Sequence, residues 1–310
     1  MITVAGFNTA IDRLYTLDAL EPGVVQRAAA VQAYPGGKGL HVAQTIAALG
    51  EPVQLVGLTD AFHRNLIARR MSERGVLFHG VEIPGELRHC LALRERGGRM
   101  TEVLDPGPLL QPRAQQQLLD TLWRCVEDTD AMVFSGSLPR GFEADTYAAL
   151  LRQIAPRRLP CLVDASGEAL RLAAAAGAFL LKPNRDEAGH LAGRAVDTLE
   201  DAAAVARELH TRGVAFPVMT LGAQGALGFD GAACWHASLA IAHSANAVGS
   251  GDCFLAGVAV ALRRGQEPAQ ALRLGVACGA ANALHEETGY VQRAQVEALL
   301  PEVRLVRYDG

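Results

Sequence analysis

Short apolar runs that end in small-residue turns alternate with helix-period segments along most of this chain. That alternation limits the fold more than any other feature. Residues 2–7, 53–58, 76–83, 130–135, 160–164, 179–182 and 216–221 read as strands. Residues 40–49, 62–74, 111–126, 146–154, 168–175, 270–285 and 294–300 read as helices, several closed by a glycine stop such as Gly50 or Gly75. Repeated strand–helix alternation predicts an α/β fold, a mostly parallel sheet covered by helices on both faces.

Two stretches break the alternation. From residue 13 to 35, Leu14, Thr16, Val24, Gln26, Ala28, Val31 and Ala33 suggest half-buried strands around the turn at Pro22-Gly23. Residues 87–96 and 99–104 flank Gly97-Gly98, a hairpin signal. Together these predict a small β lid, built from about 13–35 and 87–105, on a single domain spanning residues 1–310.

Composition narrows the function. The net charge is −4 with no basic block, which argues against nucleic acid as a partner. No apolar run reaches the ~20 residues of a membrane span, and the N-terminus enters directly into a strand, so a cytoplasmic protein is expected. The six cysteines are scattered without CxxC spacing and read as reduced core residues.

The candidate chemistry sits in turns at strand and helix ends. In Asn246-Ala-Val-Gly-Ser-Gly-Asp252, Gly249, Ser250 and Gly251 precede a carboxylate at the start of an apolar helix. Unpaired amides at a helix N-terminus suit an anion, and glycines allow close approach. Asp252 is either the helix N-cap or the base that takes a proton from a hydroxyl during phosphoryl transfer. No Walker A lysine follows, and Phe254 stands where a dinucleotide fingerprint needs its third glycine.

A second glycine turn, Pro35-Gly36-Gly37-Lys38-Gly39, opens another helix and brings a lysine suited to phosphate or sugar oxygens. Asp12 is read as a carboxylate just past a strand end, a ligand position or a plain turn. Asn184 and Glu187 lie three apart at a helix start; they suit either Mg²⁺ held through water or a capping box. Thr220, Gly222 and Gly225 form a turn able to line a nucleotide.

Taken together, these pieces resemble the pfkB family of ribokinase-like carbohydrate kinases over nearly the whole chain. Gly36-Gly37-Lys38-Gly39 and Val248-Gly-Ser-Gly-Asp-Cys253 are similar to its two signatures, with Lys182-Pro-Asn-x-x-Glu187 and Thr220-x-Gly-x-x-Gly225 in the same order. Asn8-x-Ala-Ile-Asp12, Thr101-Glu-Val-Leu-Asp-Pro-Gly-Pro108 and Ser135-Gly-Ser-Leu-Pro139 resemble the 1-phosphofructokinase and tagatose-6-phosphate kinase branch.

The resemblance implies an ATP- and Mg²⁺-dependent kinase of a ketose phosphate. Asp252 would be the general base, with the amides of residues 249–252 as the anion hole. Lys182, Asn184, Thr220, Gly222, Gly225 and Asn282 would line the ATP site, and Asn184 with Glu187 would organise Mg²⁺. Asp12, Gly36 and Gly37 would hold sugar hydroxyls; Lys38, Arg27, Arg88 and Ser137 would hold the existing phosphate. His41 stands where the family usually has an asparagine facing the sugar, and is either a substrate contact or a core histidine. A kinase of an unphosphorylated sugar or nucleoside, and a catalytically silent sensor, remain the alternatives. A homodimer through the lid is expected, because a small open sheet tends to be covered.

Overall fold

The computed structural model describes residues 1–308. Its strands are β1 (Ile2–Ala5), β2 (Ala10–Leu17), β3 (Ala30–Gly36), β4 (Val53–Asp60), β5 (Val76–Ile83), β6 (Arg88–Glu95), β7 (Met100–Leu104), β8 (Ala131–Ser135), β9 (Cys161–Asp164), β10 (Leu180–Leu181), β11 (Phe216–Thr220), β12 (Ala226–Phe229), β13 (Cys234–Ser238) and β14 (Arg304–Tyr308). Its helices are α1 (Lys38–Ala48), α2 (Arg64–Glu73), α3 (Pro112–Val126), α4 (Thr146–Ile154), α5 (Gly167–Ala175), α6 (Arg185–Ala192), α7 (Leu199–Thr211), α8 (Ser250–Arg263), α9 (Pro268–Ala283) and α10 (Arg293–Leu299).

Ten strands form one sheet in the order β5-β4-β1-β8-β9-β10-β11-β12-β13-β14. The pairings from β5 to β11 are parallel; those from β11 to β14 are antiparallel. Every residue of β1, β4, β8 and β9 is buried. Successive side chains on a strand point to opposite faces, so full burial means that helices cover both faces. This is the α/β architecture expected from the alternation. Among the described residues no helix is long and apolar enough to cross a membrane, and all six cysteines are free thiols.

A separate sheet has the order β3-β2-β6-β7. It joins the two stretches that break the alternation: β2 pairs antiparallel with β3 and parallel with β6, and β6 pairs antiparallel with β7. The strand expected around Val24–Ala28 does not form. Gln26 accepts from the Glu21 amide (3.0 Å) and donates to the Ala19 carbonyl (2.7 Å), curling residues 18–29 into a loop on which Val25 is 96% exposed. Apolar residues there face no core, so period-two spacing had nothing to bury.

Asp12 also differs from its expected place. It lies inside β2, paired with Tyr34 and Cys90, because pairing with β3 and β6 begins at Ala10. Two elements carried no expectation. Helix α7 is opened by a Thr198/Asp201 capping box and buries Ala202, Ala203, Val205, Ala206 and Leu209. That box and spacing are legible in retrospect. Strand β14 is half exposed and owes its strand conformation to pairing with β13.

Candidate active site

Parallel strands deliver their C-terminal ends to one edge of a sheet, where α/β proteins place ligands. Here that edge and the small sheet bound an open cleft of about 1180 Å³. This is larger than the ~300–1,000 Å³ usual for a single small ligand, and leaves room for a nucleotide and a sugar side by side. Ser137 after β8, Asp164 at the end of β9, Lys182 and Asn184 after β10, and Thr220 at the end of β11 all line it. From the other side come Asp12, Tyr34, Arg88, Cys90, Glu102 and Leu104 of the small sheet.

Helix α8 begins in this cleft. Its N-cap, Gly249, has φ +83°, a left-handed conformation that favours glycine. The turn is tight: a Cβ on Gly249 would lie 2.5 Å from the Gly289 nitrogen. The amide of Ser250 donates to Ala247 (3.2 Å) and that of Asp252 to Gly249 (3.0 Å), so both already have a carbonyl. Of the amides expected to form an anion cradle over residues 249–252, those of Gly249 and Gly251 are the ones left without a carbonyl among the described residues. Lys182 Nζ lies 3.5 Å from where a Cβ on Gly251 would stand, which brings a cation to the same point.

Lys182 is not free. Asp164, 1% exposed, is 3.2 Å from Lys182 Nζ and accepts from Lys38 Nζ at 3.2 Å. Burial alone would raise the Asp164 carboxyl, but Lys182 and Lys38 hold it below the ordinary range. The Asp164 charge in turn holds Lys38 above its ordinary value, against burial, with smaller contributions from Asp252 and Glu187. Two ammonium groups sharing one carboxylate leave one net positive charge at the floor of the cleft. Sequence reasoning missed Asp164 as a site residue; its place at a strand end was the available signal.

Asp252 is buried in the first turn of α8, and its Oδ2 lies 2.9 Å from His41 Nδ1. On the other side of the ring, His41 Nε2 is 3.0 Å from Asp12 Oδ2. The ring of His41 therefore stands between the two carboxylates. Gly36 closes β3 opposite Ala10, and a side chain there would run into the Asp12 carboxylate. Near the mouth, Arg88 donates to the Asn8 carbonyl (3.2 Å) and Asn8 donates to Ser137 Oγ (2.9 Å). Asn8 is a further residue that the sequence reading did not place in the site.

At the other end, Thr220, Gly222 and Gly225 line the cleft with the apolar Leu221, Leu239, Ile241, Val276, Ala280 and Ala283, a surface suited to a flat base. Asn184 and Glu187 form a complete capping box: Asn184 Oδ1 accepts from the Glu187 amide and Glu187 Oε2 from the Asn184 amide, both at 2.9 Å. The box engages one oxygen of Glu187, which leaves the other for a water ligand of Mg²⁺; an oxygen pair of this kind fits a hard, water-retaining ion.

Four expected residues are not brought to the cleft wall. Arg27 is exposed on the 18–29 loop. Gly36 is buried behind Asp12. Glu187 stands one step back from Asp186, which does line the cleft. Asn282 is wholly buried: its amide donates to Val248 (2.9 Å) and Ser250 Oγ (3.0 Å) and accepts from Tyr290 (3.0 Å), so it braces the α8 turn. Among the described residues, His63, Glu86 and His89 are spaced for a metal. They lie outside this cleft, and each already has a carboxylate or imidazole partner.

An acid beside a glycine-rich helix start, with an ammonium group nearby and a cleft for two ligands, belongs to a phosphoryl-transferring sugar kinase of ribokinase-like fold. The chain matches the family described as pfkB family carbohydrate kinase over residues 5–294, and it belongs to that family. Phosphofructokinase-2 from Escherichia coli, solved with substrates and products, is 27% identical with a TM-score of 0.88 over 97% of this chain and 98% of that one. A Thermotoga maritima protein described as a possible 1-phosphofructokinase is 19% identical, with a TM-score of 0.84 over 99% of each chain. Ribokinase from Arabidopsis thaliana, solved with ribose and ATP, is 21% identical, with a TM-score of 0.76 over 96% of this chain and 98% of that one. The protein is thus an ATP-dependent sugar kinase.

Proposed function

We propose that this kinase phosphorylates a ketose phosphate, as 1-phosphofructokinases and tagatose-6-phosphate kinases do, giving a ketose bisphosphate. The observation that carries the reading is the placement of Asp252 and Lys182 at one end of a cleft whose sugar side holds Arg88, Ser137 and Lys38. A phosphofructokinase-2 from Escherichia coli solved with fructose 6-phosphate, 26% identical, supports the same substrate class.

In the proposed reaction the acceptor hydroxyl oxygen attacks the γ-phosphorus of ATP. Its proton passes to Asp252, the bond from γ-phosphorus to the bridging oxygen breaks, and ADP leaves. The Gly251 amide and Lys182 take the charge that builds on the transferring group. Asp12 and the Gly37 backbone hold sugar hydroxyls, while Arg88, with Asn8 and Ser137 beside it, takes the existing phosphate. Asn184 and Glu187 would hold Mg²⁺ through water, and the ion would screen the nucleotide phosphates.

A second reading, a kinase of an unphosphorylated sugar, is favoured by one observation. Lys38 is tied to Asp164 and Arg27 lies outside the cleft, so Arg13 and Arg88 are the small-sheet cations left for a substrate phosphate. ADP release separates the two. The purified protein with Mg·ATP is tested on fructose 1-phosphate, fructose 6-phosphate, tagatose 6-phosphate, tagatose 1-phosphate, fructose, ribose and adenosine. Turnover confined to a phosphoketose is expected; turnover on fructose, ribose or adenosine alone would replace the first reading with the second.

We also propose a homodimer through the small sheet, supported by exposed apolar residues there: Val31 at 51%, Val103 at 54% and Leu104 at 59%. A tetrameric form of phosphofructokinase-2 from Escherichia coli has been solved, so assembly occurs on this fold. Light scattering at micromolar concentration tests it, with a monomer as the opposing result.

A further inference from the structure

The ring of His41 has a carboxylate oxygen at each nitrogen: Asp252 Oδ2 at 2.9 Å from Nδ1 and Asp12 Oδ2 at 3.0 Å from Nε2. A neutral imidazole carries one N–H, so one of these contacts would set a lone pair against a carboxylate. Only the imidazolium faces both favourably. The Nδ1 contact is an aligned hydrogen bond; the Nε2 contact is a close ion pair off the hydrogen-bond line.

The surroundings are shaped for this ring. His41 is 4% exposed. Gly289, at φ +67°, packs so closely that a Cβ there would run into the His41 ring and lie 2.5 Å from the His41 Cβ. Gln44, one turn along α1, donates to the Gly289 carbonyl and holds that segment down. Asp12 and Asp252 touch the ring, and the other charged and titratable groups that line the cleft from the small sheet and α1 are Arg13 on β2, Tyr34 on β3, Lys38 on α1, Arg88 and Cys90 on β6 and Glu102 on β7. Burial opposes a charge on His41, but Asp12 and Asp252 outweigh it and raise the ring to about 10.

We infer that His41 is a positioning residue for phosphoryl transfer: as a cation clamped between Asp12 and Asp252, it holds one oxygen of Asp252 and leaves the other to take the acceptor proton. This rests on the reading of Asp252 as the base and Asp12 as a sugar ligand. Without the cation the two carboxylates would face each other across a buried gap, and one would tend to bind a proton. A protonated Asp252 cannot serve as the base. His41 therefore sets the lowest pH at which the base works, and it ties the base to the sugar ligand through one ring.

Two measurements test this. Long-range ¹⁵N–¹H NMR on histidine-labelled protein reads the ring directly: both nitrogens of His41 should be protonated at pH 8, and H41N identifies the signal by its loss. A neutral ring at pH 8 would overturn the inference. The second is the pH dependence of kcat for wild type, H41N and H41Q on the phosphoketose that the panel identifies. Removing the cation should move the acid limb of kcat upward by about one pH unit or more, a typical loss of a neighbouring opposite charge, with KM for ATP little changed. A limb that stays in place in both folded variants sinks the inference while leaving the substrate reading intact. If wild type turns over no phosphoketose, the substrate reading fails, and the NMR result still decides the charge on His41.

Discussion

The two walls of the cleft differ in how their side chains are held. On the main-sheet wall, Asp164, Lys182 and Asp252 are 1%, 3% and 5% exposed and each has a partner of opposite charge. On the small-sheet wall, β6 is half-buried and β7 half-buried to exposed, with Leu104 at 59%. A buried, paired group holds its position to a fraction of an ångström because leaving it strands a charge in a low dielectric. A half-exposed strand can shift at little cost. Under the proposed function, chemistry belongs to the rigid wall and substrate selection to the adjustable one.

The largest effect should come from the rigid wall. Asp252→Asn keeps shape and removes the proton acceptor, and kcat should fall by roughly 10²–10⁴ with ATP affinity retained. Steady-state kinetics and ATP titration check this, and near-normal turnover would move the base elsewhere. Asp164→Ala should be costly to the fold, because it leaves Lys182 buried without its counter-charge. A loss of about 3–5 kcal/mol in denaturant unfolding is expected; a loss under about 1 kcal/mol would show that water enters the site.

The same pair gives a pH dependence with a definite sign. Asp164 is held below its unfolded value, so its contribution is present above about pH 4 and is lost as pH falls through the lower folded value. Acid unfolding followed by circular dichroism should begin at higher pH in Asp164→Asn than in wild type.

Smaller effects belong to the adjustable wall. Arg88→Ala removes the proposed charged contact to the substrate phosphate, worth about 1.5–3 kcal/mol, so KM for the sugar phosphate should rise roughly 10- to 100-fold. kcat should stay within a few-fold. A fall in kcat without a change in KM would erase the division between the walls. The smallest effect is expected at Val25, 96% exposed on the 18–29 loop. Val25→Ser should change monomer stability by no more than about 0.5 kcal/mol, and any larger loss that depends on protein concentration would place this loop in an interface.

Much of this molecule was legible without coordinates, and the legible parts are local. The strand-helix alternation gave the parallel sheet because burial on two faces writes itself as continuous apolar runs. The Gly249-Ser-Gly-Asp252 turn gave a helix start, and Asn184 and Glu187 gave a capping box, because such features depend on residues within one turn of each other. The misplaced strand around Val24–Ala28 fits the same rule in reverse. Its spacing was right, but a strand needs a neighbour to pair with and a face to bury, and the local Gln26 bonds closed a loop instead.

The sequence by itself determined the α/β layering, the glycine turns at helix starts and the family resemblance carried by their order. Only the tertiary structure decided which charges meet. His41 and Asp252 are 211 residues apart in sequence, and Lys38 and Asp164 are 126 apart. Their meeting depends on strand order, which sets β1, β8, β9 and β10 side by side and brings α1 against α8. Spacing along a chain encodes the faces of helices and strands; it carries no record of which distant turn will stand across a cleft, because that follows from how the buried faces pack.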